Sequence, residues 1–182
     1  MLPLLVKVSI WIIVGIAVAA LMEPWSKIVH GKVWHRQLWG VHRSHHVVPR
    51  QGFETNDLLA MTHAPIAIAL ILYGCIADPS VHREIAYAIG LGMTAFGILY
   101  TVFHEGVCHE RLPVAGLRRW TWVENLRKAH MIHHHTDGPP YGLFLGQREL
   151  EVFKLSGLSI PAEGRRPEVV EREASRLKQT SQ

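Results

Sequence analysis

The chain has 182 residues, enough for one domain and too few for two of ordinary size. Its composition is 48% hydrophobic with a formal net charge of +4, and it holds only two cysteines beside 13 histidines. Two distant cysteines exclude a disulfide scaffold. The small positive charge needs no nucleic-acid partner, because its distribution follows the hydrophobic blocks described next.

Three blocks hold most of the apolar residues, at 2–22, 58–77 and 85–103. The first carries one charge, Lys7, and the other two carry no Lys, Arg, Asp or Glu. A bilayer core takes about 20 apolar residues as helix, so each block is long enough to cross. Core helices of a soluble protein would show a polar stripe, and these show almost none. The expected fold is therefore all-α, an integral-membrane bundle with about three main spans. The first block ends in a signal-peptide-like Ala17-Val18-Ala19, but it is long for one and the topology requires it as a retained span. Cys75 falls inside the second block, and both cysteines are expected to stay reduced and buried.

Lys27, Lys32, Arg36, Arg43 and Arg50 follow the first block, and Arg111, Arg118, Arg119, Arg127 and Lys128 follow the third. The link at 78–84 has one Arg83 and two acids. The positive-inside rule puts the first connection and the C-terminal half in the cytoplasm. The basic patches are expected to meet anionic lipid headgroups or an acidic protein partner. Trp120 and Trp122, beside Arg118 and Arg119, read as an interfacial anchor. Gly90, Gly92 and Gly97 would let a second helix approach closely. Membrane domain and charged cytoplasmic tail are divided at 1–157 and 158–182, and the tail is assigned no function.

Ten histidines fall into boxes on this cytoplasmic side: His30-x4-His35, His42-x2-His45-His46, His104-x4-His109 and His130-x2-His133-His134. His30 is expected beyond the first span, and His104 and His109 just past the third. Positions i, i+3 and i+4 share a helix face, and i+7 drifts by only about 20°. One helix could thus carry His35, His42, His45 and His46 into one pocket. The i, i+5 pairs turn about 140° and converge only if a helix ends or sites lie on both flanks. His63 is expected to make a helix-to-helix hydrogen bond. His82 is expected to be an ordinary polar residue, and His135 a spare ligand or a neighbour. Ten imidazoles exceed the four ligands of a structural zinc, so two metals are expected, with iron, copper, nickel and zinc all compatible.

The boxes and their surroundings resemble the β-carotene hydroxylases, which belong to the fatty-acid hydroxylase superfamily of membrane di-iron enzymes. The resemblance rests on the four boxes together with WGVHRSHH (39–46), FETND (53–57), GMTAFG (92–97), HEG (104–106) and PYGLFLG (140–146), and covers roughly residues 25–152. Glu105 stands where the family usually has aspartate. The resemblance implies that the ten boxed histidines hold two non-haem iron ions. Glu54, Asn56, Asp57 and Glu105 become candidates for the groups that hydrogen-bond the far nitrogens of ligating imidazoles. For Glu54, Asn56 and Asp57 helix capping is the competing role.

It further implies O2-dependent hydroxylation at C3 of a β-ionone ring, giving zeaxanthin from β-carotene by way of cryptoxanthin. The expected location is a bacterial inner membrane, with the histidine boxes cytoplasmic. No flavin or dinucleotide fingerprint is visible, so electrons are expected from a separate protein, a ferredoxin by resemblance. A carotenoid ketolase, a fatty-acid or sterol hydroxylase, and a membrane metal transporter or sensor are the rival readings. Transporters place ligands near the membrane midplane, whereas these boxes fall at its edge.

Overall fold

The computed structural model describes residues 2–47 and 52–155, and within these the chain is entirely helical and turn. The expected tail at 158–182 lies outside the described residues. Three continuous helical stretches are long and apolar enough to cross a membrane: Leu4–Trp34, Thr55–Ile76 and Val81–Cys108. Each is longer than, or offset from, the block that signals it. The polar ends of a helix continue its hydrogen bonding after the hydrophobic pattern has stopped, so apolarity alone marks the ends badly.

The first stretch is α1 (Leu4–Val29), continued by a π-helical segment, His30–Trp34. The second combines α3 (Thr55–Ala60), a 3-10 turn at Met61–His63 and α4 (Ala64–Ile76). The third is α5 (Val81–Tyr100), continued by a second π-helical segment, Thr101–Cys108. Outside the spans lie α2 (Trp39–Val47), α6 (Thr121–Thr136) and α7 (Gly146–Leu155). At about 1.5 Å per residue, the 31 residues of the first stretch reach roughly 45 Å, well beyond the ~30 Å hydrocarbon core. The histidines therefore sit on the part of the helix that outruns the apolar layer.

α1 and α5 run parallel, as a three-pass order requires. Lys7 Nζ lies 3.3 Å from Glu84 Oε1, and the indole N–H of Trp11 donates to Glu84 Oε2 at 2.9 Å. Further along, a Cβ placed on Gly92 would fall 2.5 Å from the Gly15 carbonyl oxygen. The two backbones touch here because neither residue has a side chain to hold them apart. Gly90 does the same against α4, where a Cβ would meet the Ala67 carbonyl at 2.9 Å. Gly97 has open space around it and plays no such part. α4 returns antiparallel, and its start meets the far end of α1, where the Trp25 indole N–H donates to His63 Nε2 at 2.9 Å. His63 thus makes the interhelical bond expected of it.

The reverse turn between α4 and α5 is closed by Arg83, which donates to the carbonyls of Gly74 at 2.7 Å and Ala77 at 3.0 Å. Ser80 caps α5 by accepting from the Arg83 backbone N–H at 3.2 Å. Most large apolar side chains of α1 and α4 face outward, among them Leu5, Ile13, Ile16, Leu21, Ile68, Leu72 and Ile76. That is the surface a lipid-facing bundle presents. Cys75 lies on this exposed face, not buried as expected, because its helix side is turned toward lipid, while Cys108 is in the core; both are free. The small internal core, Cys108, Leu126 and Leu143 with Tyr100, Phe103, Met131 and Phe144 around them, joins the third span to α6 and the segment before α7.

Both ends of this geometry matter for function. Parallel α1 and α5 deliver His30 and His104 to the same end of the bundle, and α2 and α6 pack over that end. Replacing Gly92 by alanine forces a methyl group into a carbonyl that cannot move without bending α1. It should cost about 1–3 kcal/mol, read as a lower melting temperature in detergent, whereas Gly97→Ala should leave that temperature close to unchanged.

Candidate metal centre

The two π-helical segments explain the H-x4-H boxes. In a π-helix the backbone N–H of residue i+5 bonds the carbonyl of residue i, so the two residues stack one above the other. His35 N–H donates to the His30 carbonyl at 3.0 Å, and His109 N–H to the His104 carbonyl at 3.1 Å. The widened turn thus brings together side chains that an α-helix would hold about 140° apart. His30 and His104 lie on the spanning helices themselves, not beyond them.

The expected single stripe is broken. His35 ends the first helical stretch, a turn follows, and His42, His45 and His46 lie on the separate helix α2. His45 and His46 also part company. Two groups form: His30, His35, His42, His46 and His133 in one, and His45, His109, His130 and His134 in the other. Within each group one nitrogen per ring lies within 4.8 Å of all the others. His104 joins the second, with its Nε2 3.2 Å from that of His45. All ten boxed histidines are thus gathered in two adjacent sets of five. His63 and His82 belong to neither, and His135 is exposed on α6 outside both.

The outer ring nitrogens identify the tautomers. His30 Nδ1–H donates to the Tyr141 carbonyl at 2.9 Å, and His133 Nδ1–H to the Gly138 carbonyl at 2.7 Å. His42 Nδ1–H donates to Asn56 Oδ1 at 2.7 Å, and His104 Nδ1–H to Glu105 Oε1 at 2.5 Å. His46 Nδ1 is 2.8 Å from Asp137 Oδ1, and His45 Nδ1 is 3.6 Å from Glu54 Oε2. Carbonyl, amide and carboxylate oxygens only accept, so in His30, His42, His104 and His133 the proton sits on Nδ1 and the Nε2 lone pair points inward.

Two such lone pairs, on His30 and His42, face each other at 3.0 Å. No hydrogen is available to lie between them. Inner ring nitrogens also approach at His42–His46 (3.1 Å), His109–His130 (2.9 Å) and His130–His134 (2.9 Å). Unshared donors packed this closely, buried and away from water, form a cradle that a cation completes.

Charge on the imidazoles themselves is disfavoured. Burial, reinforced by neighbouring histidines, pushes His45, His46, His130 and His134 well below the ordinary value of 6.5. Burial lowers His109 and His133 to about 3. The rings are therefore neutral at pH 7, the state in which imidazole ligates metal.

Two of the four flanking candidates, Asn56 and Glu105, hydrogen-bond a boxed histidine, whereas Glu54 stops 3.6 Å from His45 Nδ1 and takes the capping role, forming a capping box with Asp57 at the start of α3. Asp57 instead binds Arg111 with both carboxylate oxygens, at 2.9 and 2.7 Å, and accepts the Glu54 backbone N–H at 2.9 Å. The same Arg111 guanidinium holds Glu105 Oε2 and the Gly52 carbonyl. One arginine thereby ties the start of the second span to the carboxylate that orients His104. Arg111 keeps its charge firmly, its pKa raised mainly by the hydrogen bond with Asp57.

Arg111 and Asp137 carry no motif that sequence reasoning could have used. Asp137 is a left-handed residue that ends α6, with φ 53°, and the turn it makes presents its own carboxylate to His46 and the next carbonyl to His133. Beyond the general turn signal of Asp137-Gly138, which follows the histidine run after Thr136, nothing in the sequence pointed there.

An all-helical chain with three helices fit to cross a membrane, and at their common end a histidine cluster able to hold metal, defines a narrow class. Over 142 residues the chain is 42% identical to a chloroplastic β-carotene 3-hydroxylase of Arabidopsis thaliana, covering 76% of this chain and 45% of that protein. It is 41% identical over 150 residues to the chloroplastic enzyme of the same name from Gentiana lutea, covering 81% and 45%. A Paracoccus β-carotene hydroxylase is 33% identical over 135 residues, covering 74% of this chain and 80% of that protein. The chain belongs to the β-carotene hydroxylase family. It spans less than half the length of the plant relatives it matches. No family model and no solved structure matches it.

Two outcomes follow from this geometry. Asn56→Ala removes the acceptor that fixes His42 and should weaken metal retention about 10–100-fold, as loss of such partners commonly does, measured by metal analysis after graded chelator challenge. Acidification should destabilise the metal-free protein. Below pH 6.5 the unfolded chain takes up protons that folded His109 and His133 refuse down to about pH 3. Stability, followed by thermal melting, should fall steadily through that window and be insensitive to these groups above it.

Proposed function

We propose that this chain is a β-carotene 3-hydroxylase, holding two non-haem iron ions on its ten boxed histidines and converting β-carotene through cryptoxanthin to zeaxanthin with O2. The observation that carries the metal part of this reading is the pair of five-imidazole groups whose Nε2 lone pairs converge. Family membership supports the substrate. The bound irons would supply the activation of O2 toward an unactivated ring C–H bond.

The protein's part is positional. His30, His35, His42, His46 and His133 would hold one iron, and His45, His104, His109, His130 and His134 the other. Asn56, Glu105 and the carbonyls of Tyr141 and Gly138 keep the protons of His42, His104, His30 and His133 on the outer nitrogen, so that their inner lone pairs are available.

Beside the two groups lies a cavity of about 20 Å3, room for one water-sized molecule. It is lined by His30 from one group and His104 and His130 from the other, and closed by Ser26, Trp34, Tyr100, Tyr141 and Leu143. A substrate carbon brought there would stand against both groups at once. The aromatic and aliphatic walls would exclude bulk water, and their position near the spanning helices suits a ring arriving from the bilayer.

The distribution of Lys and Arg supports placing the histidines on the cytoplasmic side, and the Paracoccus relative supports a bacterial inner membrane as the setting. Lys32, Arg36 and Arg43 are exposed around that end, a surface suited to an acidic electron donor such as a ferredoxin.

Pigment analysis of a β-carotene-accumulating bacterial host tests the proposal. The intact chain should yield zeaxanthin and cryptoxanthin, and His45→Ala should yield neither. Ketocarotenoids would move the oxidation to C4, and unchanged β-carotene despite iron-loaded protein in the membrane would reject a carotenoid substrate.

A further inference from the structure

Glu23 is a carboxylate on the first spanning helix, where a polar side chain is costly unless it has work to do. It is 6% exposed and lies seven residues before His30, hence on the same face of α1. Its Oε1 accepts the backbone N–H of Leu145 at 3.0 Å, while Oε2 is buried with no hydrogen-bond partner among the described residues. One turn further on, Lys27 Nζ lies 3.2 Å from Glu149 Oε2, and that oxygen also accepts the Gly142 N–H at 3.4 Å. Gly142 is fitted to this contact, since a Cβ there would stand 2.9 Å from Glu23 Oε1. Residues 142–149 thus ride on one polar face of an otherwise apolar helix.

That segment reaches the metal centre in two ways. The Tyr141 carbonyl at its start accepts the Nδ1–H of His30, and Leu143 forms a wall of the cavity. We propose that Glu23 is a positioning residue for the first histidine group. By holding residues 142–145 against α1 it places the Tyr141 carbonyl, and through it the imidazole of His30. The proposal rests on the two-iron reading above.

The test loads the full-length protein in detergent with ferrous iron under anaerobic conditions and counts iron retained against increasing chelator. The intact protein should hold two ions per chain. Glu23→Ala should release one of the two at about 10–100-fold lower chelator strength, with the second held as before. Glu23→Gln should restore the intact profile, because its amide oxygen can still accept the Leu145 N–H. Gly142→Ala, which presses a methyl group onto Glu23 Oε1, should reproduce the selective loss without removing the carboxylate. An unaltered two-ion profile in both Glu23→Ala and Gly142→Ala would overturn the proposal alone. So would simultaneous loss of both ions with a lowered melting temperature, which marks a purely structural role. An intact protein that holds fewer than two ions, with no further loss in His35→Ala, would overturn the two-iron reading and the proposal with it.

Discussion

Lone pairs of neutral imidazoles, turned toward each other at about 3 Å in a buried place, are the condition that the rest of this structure serves. Left alone, such an arrangement is repulsive and costs the hydration that each nitrogen gave up. It persists because every ring whose outer bond is resolved is pinned from behind, by the Tyr141 and Gly138 carbonyls, Asn56 or Glu105. Those acceptors come from three places in the chain: the start of α3, the second π-helical segment and the turn after α6. Two of the outward hydrogen bonds, His30 to the Tyr141 carbonyl and His42 to Asn56, therefore double as tertiary contacts, fastening the segment before α7 to the first span and α2 to α3. At these two places, binding-site geometry and the packing at the histidine end of the bundle are one set of bonds.

The bundle below must be stiff for this to hold. In lipid there is no hydrophobic force between apolar helices, so close packing and a few polar contacts do the fastening. Glycine-to-carbonyl contact at Gly15–Gly92 and Gly90–Ala67 supplies the first, and the Lys7–Glu84–Trp11 cluster at the distal end the second. Because α1 and α5 are locked both at that end and at mid-height, their C-terminal extensions cannot splay. The separation between His30 and His104 is fixed by contacts made well away from either.

The spans and the boxed histidines were legible in the sequence because both depend on side-chain type at regular spacing: long uncharged runs for the first, repeated His at i, i+3 and i+4 for the second. The interhelical role of His63 was legible for a related reason, since a lone polar group in a span needs a partner. Other features were hidden. Nothing in His30-Gly-Lys-Val-Trp-His35 says that its backbone adopts i→i+5 bonding, which is why convergence of the H-x4-H pairs looked conditional. The division of His45 from His46 follows from two groups flanking one short helix, a tertiary fact. Backbone carbonyls of Tyr141 and Gly138 have no sequence signature at all. Arg111 looked like one more cytoplasmic positive charge, although it binds two of the four flanking residues singled out from the sequence.

The π-helical segments also carry an evolutionary and engineering implication. A π turn is an α-helix that has absorbed an extra residue, so each extension is one deletion away from regular α geometry. Such a deletion within 101–108 would repair the backbone hydrogen-bonding pattern and improve the helix as a helix. It would also rotate everything after it by roughly 100°, carrying His109 away from His130 and shifting the phase of the chain that leads into α6. Stability of the isolated helix and competence of the cluster pull in opposite directions at these two places. Sequence optimisation that rewards helical regularity would therefore be expected to erase the cluster first at its H-x4-H boxes.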